Sequence, residues 1–107
     1  MTQNLYQQWD IWYAPFAFEE DPNQTKDRPV LIISTQPLTC VVLKITSAGK
    51  RDDDDYEIQK WQEAGLDRKS YIRINKRVRM EIEHFRRKIG RLQDIDILLL
   101  GLKLIPK

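Results

Sequence analysis

The chain has 107 residues, 41% hydrophobic and 32% charged, which is the composition of one globular domain with a single modest core. It excludes a disordered segment and leaves no room for a second domain, so residues 1–107 are read as one unit. The net charge of +2 hides a segregation. Ten basic residues fall between positions 68 and 91 against Glu81 and Glu83, while acid gathers at Glu19, Glu20, Asp21 and 52–55. That polarity can steer a polyanion even near neutrality.

Residues 1–8 are polar and lack a basic start followed by an apolar run, so no signal peptide is expected. Residues 10–18 carry Ile11, Trp12, Tyr13, Phe16 and Phe18 and read as a first strand. Pro15 removes a ladder donor and places that point at an edge or bend. A polar loop from Glu19 to Asp27 follows, with Asp21-Pro22 and Asn23-Gln24-Thr25.

Two short β-branched runs, residues 27–34 and 40–47, are the centre of the chain and read as strands buried on both faces. The connector 35–39 is short enough to make them antiparallel neighbours. Antiparallel pairing puts the start of the first beside the end of the second, which brings Arg28 near Thr46 and Ser47. A guanidinium beside two hydroxyls suits an anion, phosphate above all, because Arg presents a planar fork to its oxygens. The competing reading pairs Arg28 with Asp27 or Glu20. Cys40 is the only cysteine. It excludes an internal disulfide, fits a reducing cytoplasmic setting, and reads as a buried thiol, not a nucleophile.

Residues 48–55 form a charged connection containing Gly49. Contiguous aspartates stay solvated and do not converge on one ion, so no metal is expected there. Residues 60–64 fit one helical turn closed by Gly65. From Ser70 to Met80 the chain alternates, with Tyr71, Arg73, Asn75, Arg77 and Arg79 on one side and a break at Lys76: a half-exposed strand with a basic face. Residues 81–88 are ambiguous between helix and strand, and the lone His84 within them reads as structural. Asp94 or Asp96 can cap a final helix through Ile105, apolar nearly all round despite Gly101. The longest apolar run, Ile97–Leu100, cannot span a membrane. Trp9, Trp12 and Trp61 read as core or interface residues.

The order of these features resembles the MazF/PemK toxin endoribonucleases of the CcdB/PemK-like small barrels. Asp10-Ile11-Trp12-Tyr13-Ala14-Pro15-Phe16 is similar to their opening strand motif, Arg28-Pro29 to their R-P strand, and Ile45-Thr46-Ser47 to their I-T-S strand end. Ala64-Gly65-Leu66 and Lys88-Ile89-Gly90-Arg91-Leu92 follow in the same order. The loop before Arg28 departs from the family's usual G-S-E-Q-x-G form.

The resemblance implies a mainly β, SH3-like barrel of about five to seven strands with a C-terminal helix, forming a homodimer. It implies a metal-independent endoribonuclease, the toxin of a type II toxin–antitoxin pair, that cuts single-stranded RNA to 2′,3′-cyclic phosphate and 5′-hydroxyl ends without a cofactor. By resemblance Arg28 and Thr46 are the catalytic pair. Ser47, Gln24, Lys44, Arg73, Arg77 and Arg79 are the expected substrate contacts. A cognate acidic antitoxin would occupy the same basic surface. Two alternatives of other classes stand beside this one: a CcdB-like toxin that binds DNA gyrase without catalysis, and a nucleic-acid-binding module using the 68–91 basic face alone.

Overall fold

Val30, Leu31, Ile32, Val42, Leu43 and Ile45 are fully buried because their two strands lie mid-sheet with both faces covered, as their unbroken apolar runs predict. The computed structural model describes residues 5–17, 21–51 and 53–105; Phe18, Glu19, Glu20 and Asp52 lie outside them. Six strands form one antiparallel sheet: β1 (Asp10–Ala17), β2 (Thr25–Thr35), β3 (Thr39–Thr46), β4 (Asp55–Glu57), β5 (Tyr71–Glu81) and β6 (Arg87–Arg91). Their order is β4-β5-β3-β2-β1-β6, curled into a half-barrel, and one helix, α1 (Asp94–Leu104), follows. The ambiguous 81–88 stretch resolves into a 3-10 turn at Ile82–His84 and the start of β6.

Alternation along β1, β2 and β3 divides the core in two. Ile11, Leu31, Leu43 and Ile45 pack with Tyr56, Ile58, Leu66, Leu92 and Leu100 on one face. Ala14, Phe16, Val30, Ile32, Cys40 and Val42 pack with Met80 and Phe85 on the other. Pro15 pairs with Asp27 of β2, but β6 pairs with β1 only from Asp10 to Tyr13, so Pro15 faces a locally open edge. The strand tolerates it for that reason. The break expected at Lys76 is a bulge: Leu43 pairs with Arg77 and Lys44 with Arg73, leaving 74–76 without β3 partners.

The half-barrel is bridged by the segment after β4, which turns through Ala64 and Gly65 and lies against β6. Gly65 adopts φ +97°, a left-handed conformation suited to glycine, and closes the turn expected at 60–64. A Cβ on Gly90 would stand 2.0 Å from the Ala64 carbonyl oxygen, so only glycine allows this approach. Gly90→Ala is expected to cost about 3 kcal/mol, read as a drop in urea midpoint. Gly101→Ala is the opposite control. A Cβ there meets nothing within 4 Å, and alanine should add about 0.5–1 kcal/mol within the helix.

Neither Asp94 nor Asp96 caps α1 through its side chain; Gln93 is the N-cap residue, without a side-chain capping bond. Asp96 is instead fully buried. It accepts from Tyr56 Oη at 2.6 Å, Gln59 N at 2.8 Å and Lys60 N at 2.9 Å, and so fastens the helix to the bridging segment. Burial, with the hydrogen bond to Asp96 and its charge behind it, pushes the Tyr56 phenol well above its usual range. The helix does not bury all its apolar surface in the single chain. Ile95, Leu98, Leu102 and Ile105 remain exposed, the last three at 60% each.

Candidate functional site

The β2 start and β3 end, with the turn that precedes β5, enclose a cavity of about 310 Å³. Arg28, Thr46 and Ser47 all line it, alongside Tyr13, Lys26, Asp27, Arg68 and Ser70. The strand register explains the meeting: Val30 pairs with Lys44, and continuing that ladder two residues sets Arg28 level with Thr46.

Each of the two central groups keeps hydrogen-bonding capacity that could meet a ligand. Arg28 is half-buried, and among the described residues it has no ion pair; Asp27, its expected competitor, faces Arg86 at 3.7 Å instead. Thr46 is 5% exposed and its Oγ1 accepts from Ala48 N at 3.1 Å. A hydroxyl has one hydrogen to donate as well as two acceptor sites. The Ala48 N–H uses an acceptor site and fixes the oxygen, leaving the hydrogen to a ligand. Arg68 adds a third cation, loosely held by Asp67 at 3.5 Å with both side chains largely exposed. Such an exposed pair is worth little and yields readily to an anion.

Several expected contacts lie elsewhere. Arg73 is buried, ion-paired to Asp55 through Nη1, and donates from Nη2 to the Gly49 carbonyl at 3.3 Å. Its charge is consumed inside the protein. The same pair corrects the expectation that the whole 52–55 acid run stays solvated, because Asp55 is buried to receive Arg73. Arg77 and Arg79 are exposed, but they pair with Leu43 and Val41, and Val41 lies about 16 Å along β3 from Thr46. Lys44 does not line the cavity and sits 5.7 Å from the Phe16 ring centroid. Gln24 is exposed in its turn, its N–H bonded to the Asp21 carbonyl at 3.0 Å, and also stands outside the cavity lining.

Sequence reasoning passed over Tyr13, Lys26 and Arg68 as site residues. Arg68 was visible as a member of the basic stretch, but its approach depends on the Gly65 turn folding back over the sheet. Tyr13 carried no polar signal at all. The remaining candidates for chemistry are inert or remote. Cys40 is 1% exposed, and burial, reinforced by the Asp10 charge, pushes its thiol up, away from the reactive thiolate. His84 stands exposed beside Glu81 and Glu83, with their ligand atoms within 4.8 Å of one another, and none of the three lines the cavity. Trp12 packs against Tyr6 and Phe85 in the core.

The family model of the PemK-like, MazF-like toxin of type II toxin–antitoxin systems matches residues 7–105. No curated protein matches the sequence. Among solved structures, the chain is similar to an endoribonuclease in complex with its cognate antitoxin from a mycobacterial species, with 10% identity, TM-score 0.75, and 92% of this chain and 90% of that one covered. It is also similar to the Mycobacterium tuberculosis toxin MazF-mt6, with 18% identity, TM-score 0.70, and coverage of 89% and 91%. At such identities the likeness is one of fold. No helix among the described residues is long and apolar enough to cross a membrane.

Proposed function

This chain belongs to the PemK-like, MazF-like toxin family of type II toxin–antitoxin systems, and from that premise we propose that it is an endoribonuclease cutting single-stranded RNA at the Arg28–Thr46 cavity. The observation that carries this reading is the cavity itself: a guanidinium without an acidic partner among the described residues shares it with a threonine hydroxyl fixed by a backbone N–H.

RNA brings its own nucleophile, the 2′-hydroxyl next to the phosphodiester. As the 2′-oxygen bonds to phosphorus its hydroxyl proton passes to water, the P–O5′ bond breaks, and the departing 5′-oxygen takes up a proton from water, leaving a 2′,3′-cyclic phosphate and a 5′-hydroxyl. The protein's task is to hold the phosphate and stabilise charge on its non-bridging oxygens as the bond order changes. Arg28 supplies that charge with two parallel N–H donors. Thr46 donates to a phosphate oxygen and orients it, and the exposed Ser47 hydroxyl is placed to assist. Lys26 and Arg68 lengthen the positive surface for the flanking phosphates. This chemistry is complete without a metal ion.

The partner reading follows from the same charges. An acidic antitoxin segment laid over Lys26, Arg28 and Arg68 would exclude RNA by occupying its place. The exposed apolar face of α1, with Leu98, Leu102 and Ile105, is where a second copy would pack to make the homodimer. The cytoplasm, where RNA is encountered, is the proposed setting.

The test is incubation of a long single-stranded RNA with the purified protein in EDTA, followed by end-group analysis. Discrete fragments ending in 2′,3′-cyclic phosphate are expected. Intact RNA across several sequences, from protein shown to be folded, would sink the nuclease and move attention to a toxin that acts by binding.

A further inference from the structure

A second cavity, of about 360 Å³, adjoins the first and is lined by Tyr13, Asp27, Arg86 and Arg87. Tyr13 and Asp27 line both, so the two lie side by side. The Arg87 guanidinium lies over the Tyr13 ring, 4.6 Å from its centroid. Strand pairing builds this stack: Tyr13 and Arg87 are register partners, and Arg86 N donates to the Tyr13 carbonyl at 2.8 Å. A stacked ring and guanidinium offer a flat surface of the kind on which an unpaired base rests.

Asp27 is out of place in a cavity for phosphates. A carboxylate accepts hydrogen bonds and donates none, and beside a phosphate it would repel. Its partner Arg86 is 3.7 Å away, beyond hydrogen-bonding length, so its oxygens keep their accepting capacity. A carboxylate set at the edge of a stacking surface is matched by a base edge that only donates. Guanine alone among the four bases presents two adjacent donors, N1–H and the N2 amino group. Uracil presents one N–H between two carbonyls, which the carboxylate repels.

We propose that Tyr13, Arg87 and Asp27 form a base-reading subsite beside the Arg28 phosphate site, stacking a guanine and accepting its N1–H and N2–H at the Asp27 carboxylate. The proposal rests on the ribonuclease reading of the neighbouring cavity, since it places this guanine next to the scissile phosphate. Asp27 thereby becomes a specificity residue, and the departure from family pattern just before Arg28 gains a purpose.

The experiment uses short single-stranded oligonucleotides that carry one ribonucleotide linkage, with G, A, C or U on either side of it, and all-deoxy versions for binding by fluorescence anisotropy. Wild type should favour guanine over uracil at one flanking position by about tenfold or more, both in kcat/KM and in Kd, the scale of a bidentate base contact. Asp27→Asn should shrink that ratio severalfold, and Tyr13→Ala should weaken all four sequences by about tenfold through lost stacking. An unchanged guanine-to-uracil ratio in folded Asp27→Asn overturns the subsite, even if cleavage persists. Absent cleavage combined with Asp27-dependent guanine binding would instead overturn the nuclease and leave the subsite standing.

Discussion

Arg28→Ala should lower the rate of RNA cleavage by about 10²–10³-fold, the usual cost of removing one preorganised donor to a developing oxyanion. The folded state should barely notice. Among the described residues the Arg28 side chain has no ion pair and no hydrogen bond, so its removal orphans no buried partner. Urea midpoints of wild type and variant should therefore agree within about 0.5 kcal/mol, as for surface substitutions. Arg28→Lys separates charge from geometry: it keeps a cation in the cavity but loses the planar fork, and should fall between the two. Thr46→Val is a milder companion, because it removes the hydroxyl proposed to donate to the phosphate but keeps the β-branched shape. Equal cleavage by wild type and Arg28→Ala would take this arginine out of the mechanism and leave Lys26 and Arg68 as the cations to test.

The site was legible where it depended on strands that neighbour each other in sequence. Two apolar runs and a five-residue connector are enough to bring Arg28 near Thr46 and Ser47. The register at the connection alone would set Arg28 level with Ser47; the irregularity between Ile32 and Ser34, which no sequence signal announces, shifts it by one residue to Thr46. The apolar residues along those runs likewise announced a sheet covered on both faces, which the two core clusters bear out. What stayed hidden depends on contacts distant in sequence. Arg68 reaches the cavity only because Gly65 turns and Gly90 lets the backbone pass. Asp96 looked like a helix cap, yet its carboxylate is spent on the backbone of residues 59 and 60. Helix α1 looked too apolar to meet water on any side, and the single chain nonetheless leaves Leu98 and Leu102 exposed.

The alternation of β5 misled in an instructive way. Tyr71, Arg73, Asn75, Arg77 and Arg79 fall on one side only if the strand is regular. The bulge over 74–76 separates Arg73, which is buried, from Arg77 and Arg79, which are exposed. A basic face inferred from period two therefore joined a structural arginine to two surface ones.

That distinction yields the largest expected stability effect. Arg73→Met should cost about 3–5 kcal/mol, since it leaves the Asp55 carboxylate buried without its counter-charge. Against a typical total of about 5–15 kcal/mol, such a loss could leave a substantial unfolded fraction. Asp55→Leu should cost a similar amount for the mirror reason. The double variant should be less damaged than the sum of the singles, because no charge is then stranded; apolar replacements of buried pairs are often near neutral. It will not recover everything, because Asp55 also accepts from Arg51 N at 2.9 Å and Arg73 also serves the Gly49 carbonyl. Denaturant midpoints of the four proteins give the coupling directly. The same set decides whether Arg73 touches RNA: a structural arginine predicts that the double variant, once folded, cleaves at close to the wild-type rate. A folded double variant with cleavage lowered a hundredfold would return Arg73 to the substrate contacts.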